Sequence, residues 1–121
     1  MTSLFVYGTL KRGDLRSKHL LGQMYLGDAS TEPRYRLYDC GTFPGMIEVA
    51  SGGVSVQGEV YDVSAECLRQ LDDVEGVEEG LYARRTVRLV EGFADRPVEA
   101  YFYQPPVTGL RNLGERWTPR E

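Results

Sequence analysis

The chain has 121 residues, 41% of them apolar and 26% charged, with a net charge of −4. That is the size and balance of one globular domain, with enough apolar surface for a core that folds without staples. The mildly acidic charge argues against nucleic acid or an anionic membrane as the main partner, no apolar run approaches the ~18 residues of a membrane span, and two cysteines do not make a disulfide framework.

In chain order, Ser3 to Tyr7 is rich in aromatic and β-branched residues and reads as a first strand. Gly8 to Asp14 is a loop, and Leu15 to Leu21 a short helix ended by Gly22. Strands are expected over Met24 to Thr31 and, after the break at Pro33, over Arg34 to Tyr38. Gly41 to Gly45 is a loop, Met46 to Ala50 a short apolar segment, and Ser51-Gly52-Gly53 turns the chain as a hairpin does. Val54 to Val63 alternates as the longest strand, with Val54, Val56, Gly58, Val60 and Asp62 on one face. Ser64 suits a helix N-cap, and Ala65, Leu68, Leu71 and Val74 follow at helical spacing until Gly76 and Gly80 open a loop.

Tyr82 to Val90 and Val98 to Tyr103 read as two further strands. The tail from Gln104 reads as irregular, with Trp117, the single tryptophan, expected to pack down. About six strands in runs, with two helices, imply one α+β domain over residues 1–121 with an antiparallel or mixed sheet. The first twenty residues lack the pattern of a signal peptide, so a cytoplasmic protein with reduced thiols is expected.

Several chemistries fail on spacing. Gly8 and Gly13 match half of a phosphate loop, but Asp14-Leu15 stand where Lys and Ser/Thr are needed, and no GxGxxG is present. The loop keeps one option: glycine exposes the backbone, and successive N–H groups can converge on an anion. The alternative is a plain strand-to-helix turn. The acidic run from Leu71 to Gly80 fits no calcium loop, and a single histidine leaves zinc unsupported. Asp72, Asp73, Glu78 and Glu79 are expected to be solvated. His19, beside Lys18, reads as surface; Cys67 reads as packed, and Cys40 lacks a visible pKa-lowering partner. Glu75 differs. It ends a helix whose apolar face includes Leu71, just before Gly76, and a carboxylate turned into an apolar setting gains a raised pKa and use as an acid or base.

Taken together, Tyr7-Gly8-Thr9-Leu10, Val56-Gln57-Gly58-Glu59-Val60-Tyr61, Leu71-Asp72-Asp73-Val74-Glu75-Gly76 and Tyr82-Ala83-Arg84 resemble the γ-glutamylcyclotransferase-like family, in particular its γ-glutamylamine cyclotransferase branch. Phe43-Pro44-Gly45 and Ala100-Tyr101-Phe102-Tyr103 also fall in the family's order, so the resemblance spans residues 3–103. The tail departs: two residues separate Gly114 from Trp117 where many relatives have one, and no role is carried over there.

The resemblance implies a mixed, largely antiparallel sheet closing into a small barrel with flanking helices. It implies a catalytic Glu75 and a cavity between it and the Tyr7–Leu10 loop, with Tyr7, Gly8, Thr9, Leu10, Tyr82 and Tyr101 binding a small γ-glutamyl substrate. The reaction forms 5-oxoproline, with no cofactor or metal. Whether the loop amides bind the substrate's carboxylate or its oxyanion is left open, as are the amine half of the substrate and the oligomeric state. A non-catalytic binding module for a small carboxylate metabolite would keep the same pocket. A purely structural protein would instead leave Glu75 exposed and unconnected to Gly8.

Overall fold

The structure, a computed structural model, describes residues 1–14 and 16–117. Eight strands and one α-helix follow in the order β1 (Thr2–Val6), β2 (Met24–Ser30), β3 (Tyr35–Asp39), β4 (Pro44–Glu48), β5 (Gln57–Val63), α1 (Ala65–Val74), β6 (Tyr82–Thr86), β7 (Glu99–Tyr103) and β8 (Asn112–Gly114). The α+β composition is as expected, but the closed barrel is not. Among the described residues the strands form a five-stranded sheet, ordered β2-β5-β1-β7-β6, and a three-stranded sheet, ordered β4-β3-β8. All pairings are antiparallel except β1 with β7.

The chain changes sheet at a fully buried corner. Thr31 donates its amide to the Val56 carbonyl and accepts the Val56 amide on its hydroxyl (3.0 and 2.9 Å), and Pro33, with no N–H to give a ladder, follows. Tyrosine hydroxyls close the seam between the sheets where a barrel would have a continuous ladder. Tyr7, just past β1, accepts the Met46 amide of β4 (3.1 Å); Tyr82 of β6 donates to the Pro44 carbonyl (2.5 Å); Tyr35 of β3 accepts the Arg88 amide (3.0 Å). The tyrosine-rich composition is thus partly structural.

The pleat divides the core between two layers. Phe5, Val60, Ala100 and Phe102 pack between the sheets with Leu37 and Met46, while Leu4, Val63, Leu68, Leu71 and Tyr101 pack between the large sheet and α1. Ser64 caps α1 by accepting the Cys67 amide (3.1 Å). The expected first helix shrinks to one 3-10 turn at Ser17–Leu20, and Leu15, its expected start, lies outside the described residues. Strands are shorter than the sequence implied: Val54 and Leu89 make isolated bridges instead of extending β5 and β6. The tail holds a strand, β8, and a buried Trp117. Among the described residues no helix is long and apolar enough to cross a membrane.

Candidate active site

Glu75 is aimed by the way its helix stops. Gly76 takes φ +68°, a region open to glycine, and the amides of Val77 and Gly76 turn back onto the Asp72 and Asp73 carbonyls (3.1 and 3.2 Å). This closure leaves Glu75 as the C-cap of α1, still with helical dihedrals and on the same face as the fully buried Leu71. Its side chain therefore enters the layer between α1 and the sheet, and the residue is only 8% exposed.

Opposite it, β1 ends in the middle of the large sheet and releases Tyr7-Gly8-Thr9-Leu10. The loop's hydrogen bonds use the amides of Lys11 (to Gly8), Arg12 (to Glu59), Asp14 (to Lys11) and Arg16 (to Thr9). Those of Gly8, Thr9 and Leu10 are unclaimed among the described residues. Gly8 is required by close approach rather than by its dihedrals: a Cβ there would lie 2.7 Å from the Pro44 ring. Glu75, the four loop residues, Tyr82, Tyr101, Phe43 and Pro44 line one narrow cavity enclosing about 20 Å³, room for one water molecule.

The electrostatics single out Glu75. Burial pushes its carboxyl from the ordinary 4.5 up to about 7, against the opposing pull of the Arg16 guanidinium. Arg16 Nη1 stands 3.9 Å from Glu75 Oε2, beyond hydrogen-bond distance, and no hydrogen bond reaches this carboxylate among the described residues. The negative end of the α1 dipole works in the same direction as burial.

All six residues expected to bind substrate line this cavity, but the tyrosine hydroxyls are committed elsewhere. Tyr7 donates to the Tyr101 carbonyl (2.6 Å), Tyr82 to Pro44, and Tyr101 to Asp72 (2.6 Å). Burial raises all three hydroxyl pKa values, with the Glu75 charge a further cause at each, so they stay protonated as donors. Their rings form the walls; their hydroxyls hold the walls together.

Asp72 corrects the sequence reading. Expected to be solvated, it is half-buried and accepts two bonds from Arg84 (both 3.2 Å) besides that from Tyr101, while Arg84 also donates to Glu99 (2.9 Å). Asp73, Glu78 and Glu79 are exposed, as expected. Arg16 was also missed; the partners of Asp72, Arg84 and Tyr101, stood in two of the quoted motifs, but nothing in the sequence joined them to it. Burial raises the thiol pKa of both Cys40 and Cys67, which suits packing rather than nucleophilic chemistry.

A family model described as "Gamma-glutamyl cyclotransferase, AIG2-like" matches residues 4–119, and so runs on through the tail. A Vibrio cholerae protein named "Putative gamma-glutamylcyclotransferase" is 43% identical over 91 residues, 75% of this chain and 76% of that protein. The human gamma-glutamylaminecyclotransferase is 38% identical over 104 residues, 79% of this chain and 66% of its own length. The crystal structure of an AIG2-like protein from Mus musculus superposes with a TM-score of 0.78 at 28% identity, covering 100% of this chain and 97% of that one.

Proposed function

The chain belongs to the gamma-glutamyl cyclotransferase, AIG2-like family, and we propose that it releases an amine from a γ-glutamylamine or related γ-glutamyl conjugate with formation of 5-oxoproline. The observation that supports this most is a buried, unbonded Glu75 carboxylate sharing one cavity with three unclaimed backbone amides.

The chemistry suits these groups. The substrate's α-amine attacks its own γ-carbonyl, so a pocket that holds the folded conformer gains through orientation, where effective molarities reach ~10⁵–10⁸ M. Ionised Glu75 takes a proton from the α-ammonium, and the free amine attacks. The new C–N bond forms as the carbonyl oxygen gains charge, which donors from the loop stabilise. Glu75 passes its proton to the departing amine, the old C–N bond breaks, and the second proton of the ring nitrogen follows the same route. The products are 5-oxoprolinate and an ammonium ion; no water or cofactor enters the balance. A carboxyl at about 7 lies close to an α-amine at ~7.7–8.0, so the transfer is nearly matched. Entry of the glutamyl group requires the cavity to widen, because its present space holds only a water.

A base must be ionised, so turnover is expected to rise with pH through about 7. The test is 5-oxoproline release from a panel of γ-glutamyl amines, followed from pH about 5 to about 9. A rise with its inflection near neutrality supports the reading; a folded protein silent on the whole panel overturns it.

A further inference from the structure

Ring closure places two charges of the substrate beside Glu75. The α-ammonium must reach the carboxylate, and the α-carboxylate hangs from the same carbon. A second negative charge therefore arrives next to a buried glutamate and needs its own donor.

The basic groups around the site are almost all engaged. Lys11 donates to the Trp117 carbonyl (2.7 Å), Arg12 to Glu59 (3.3 Å), and Arg84 to Asp72 and Glu99. Arg16 is the exception. Its guanidinium makes no hydrogen bond among the described residues and stands 3.9 Å from Glu75, with a side chain 37% exposed. Its amide is tied to the carbonyl of Thr9, which lines the cavity (2.8 Å), so Arg16 is held next to the site without itself forming its wall.

Resting on the cyclotransferase reading, we infer that Arg16 binds the substrate's α-carboxylate, so that Glu75 and Arg16 form a matched pair for a zwitterionic amino-acid head and the Gly8–Leu10 amides are left for the oxyanion. The planar guanidinium offers the carboxylate two parallel donors, which a loop of single amides cannot do as well. Arg16 is then a specificity residue: it selects conjugates that keep a free α-carboxylate.

The test pairs γ-glutamyl methylamide with its analogue bearing an α-carboxamide, using wild type, Arg16→Gln and Arg16→Lys and measuring methylamine release. Rates are compared on the alkaline plateau, because losing Arg16 also removes the pull that lowers Glu75. Wild type should prefer the carboxylate by about 10–100-fold in kcat/KM, carried in KM, as for a hydrogen bond to a charged group. Arg16→Gln should abolish that preference by lowering kcat/KM for the carboxylate far more than for the carboxamide, and Arg16→Lys should fall between. An unchanged preference in Arg16→Gln overturns the role of Arg16 and spares the cyclotransferase reading. If wild type releases amine from neither compound, that reading falls instead, and calorimetry with 5-oxoproline decides for Arg16. Binding about tenfold weaker in Arg16→Gln retains it as a carboxylate ligand; equal binding, or none in wild type, removes it.

Discussion

Two buried glutamates border different cavities along the loop that leaves β1. Glu59, 9% exposed, borders a polar groove of about 340 Å³ beside Lys11, Asp28 and Gln57. Glu75, 8% exposed, borders only about 20 Å³. Yet both oxygens of Glu59 are engaged: it accepts the Arg12 amide (3.0 Å), the Arg12 guanidinium (3.3 Å) and the Tyr61 hydroxyl (3.2 Å). Among the described residues Glu75 accepts no hydrogen bond, and burial pushes its carboxyl up to about 7. Volume does not single out the glutamate proposed to react. Among the described residues, empty lone pairs beside unused amides do, because a carboxylate already bonded at both oxygens is poorly placed to move a proton.

Replacing each glutamate should separate the two roles. Glu75→Gln is expected to lower 5-oxoproline formation by ~10²–10⁴-fold, the usual contribution of a positioned proton carrier. Glu59→Ala, corrected for its folded fraction, should retain most turnover; an equal loss in both variants would erase the distinction.

Stability should respond in the opposite sense. Between about 4.5 and about 7 the folded protein keeps the Glu75 proton that the unfolded chain has released, so stability falls as pH rises through that window. At one pKa unit per 1.36 kcal/mol the cost at the top is about 3 kcal/mol. Urea denaturation should therefore find Glu75→Gln more stable than wild type at pH 8 by up to that amount, with the gain vanishing below about 4.5. Glu59→Ala should lose ~1–3 kcal/mol, because it strands the Arg12 amide and the Tyr61 hydroxyl. The smallest effect is expected at Asp72→Asn. It keeps an acceptor for Tyr101 but sets an amide against Arg84, which should cost ~1 kcal/mol in the melt and less than tenfold in turnover.

Glu75 was legible because local rules expose it: a glycine that stops a helix also decides where the preceding side chain points, and Leu71 marks the buried face. The Tyr7–Leu10 loop was legible only through its combination with later motifs. Glu59 and Asp72 were not. The strand alternation that placed Glu59 opposite Val60 says nothing of Arg12, 47 residues away in sequence, and the partners of Asp72 are 12 and 29 residues further on. Such contacts depend on sheet order, which no local pattern encodes. The same holds for the two sheets. Eight short strands are compatible with a barrel until one sees that the Thr31–Pro33 corner and the hydroxyls of Tyr7, Tyr35 and Tyr82 replace a ladder at the seam.

Trp117 ties the site to time as well as to space. Its indole donates to the buried Asp14 carboxylate (3.0 Å) and its carbonyl receives Lys11, contacts that span 103 and 106 residues. Loops that long close late, since their entropy must be overcome before the contact rewards it. The loop that presents Gly8 to Leu10 is therefore expected to reach its final form late, no earlier than the pairing of Leu4 with Glu99, which spans a similar stretch of chain. With one tryptophan in the chain, emission during refolding reports the arrival of that loop, while far-ultraviolet circular dichroism reports the sheets. Emission lagging behind dichroism would show a protein already folded by most measures while the loop that lines the Glu75 cavity is still unformed.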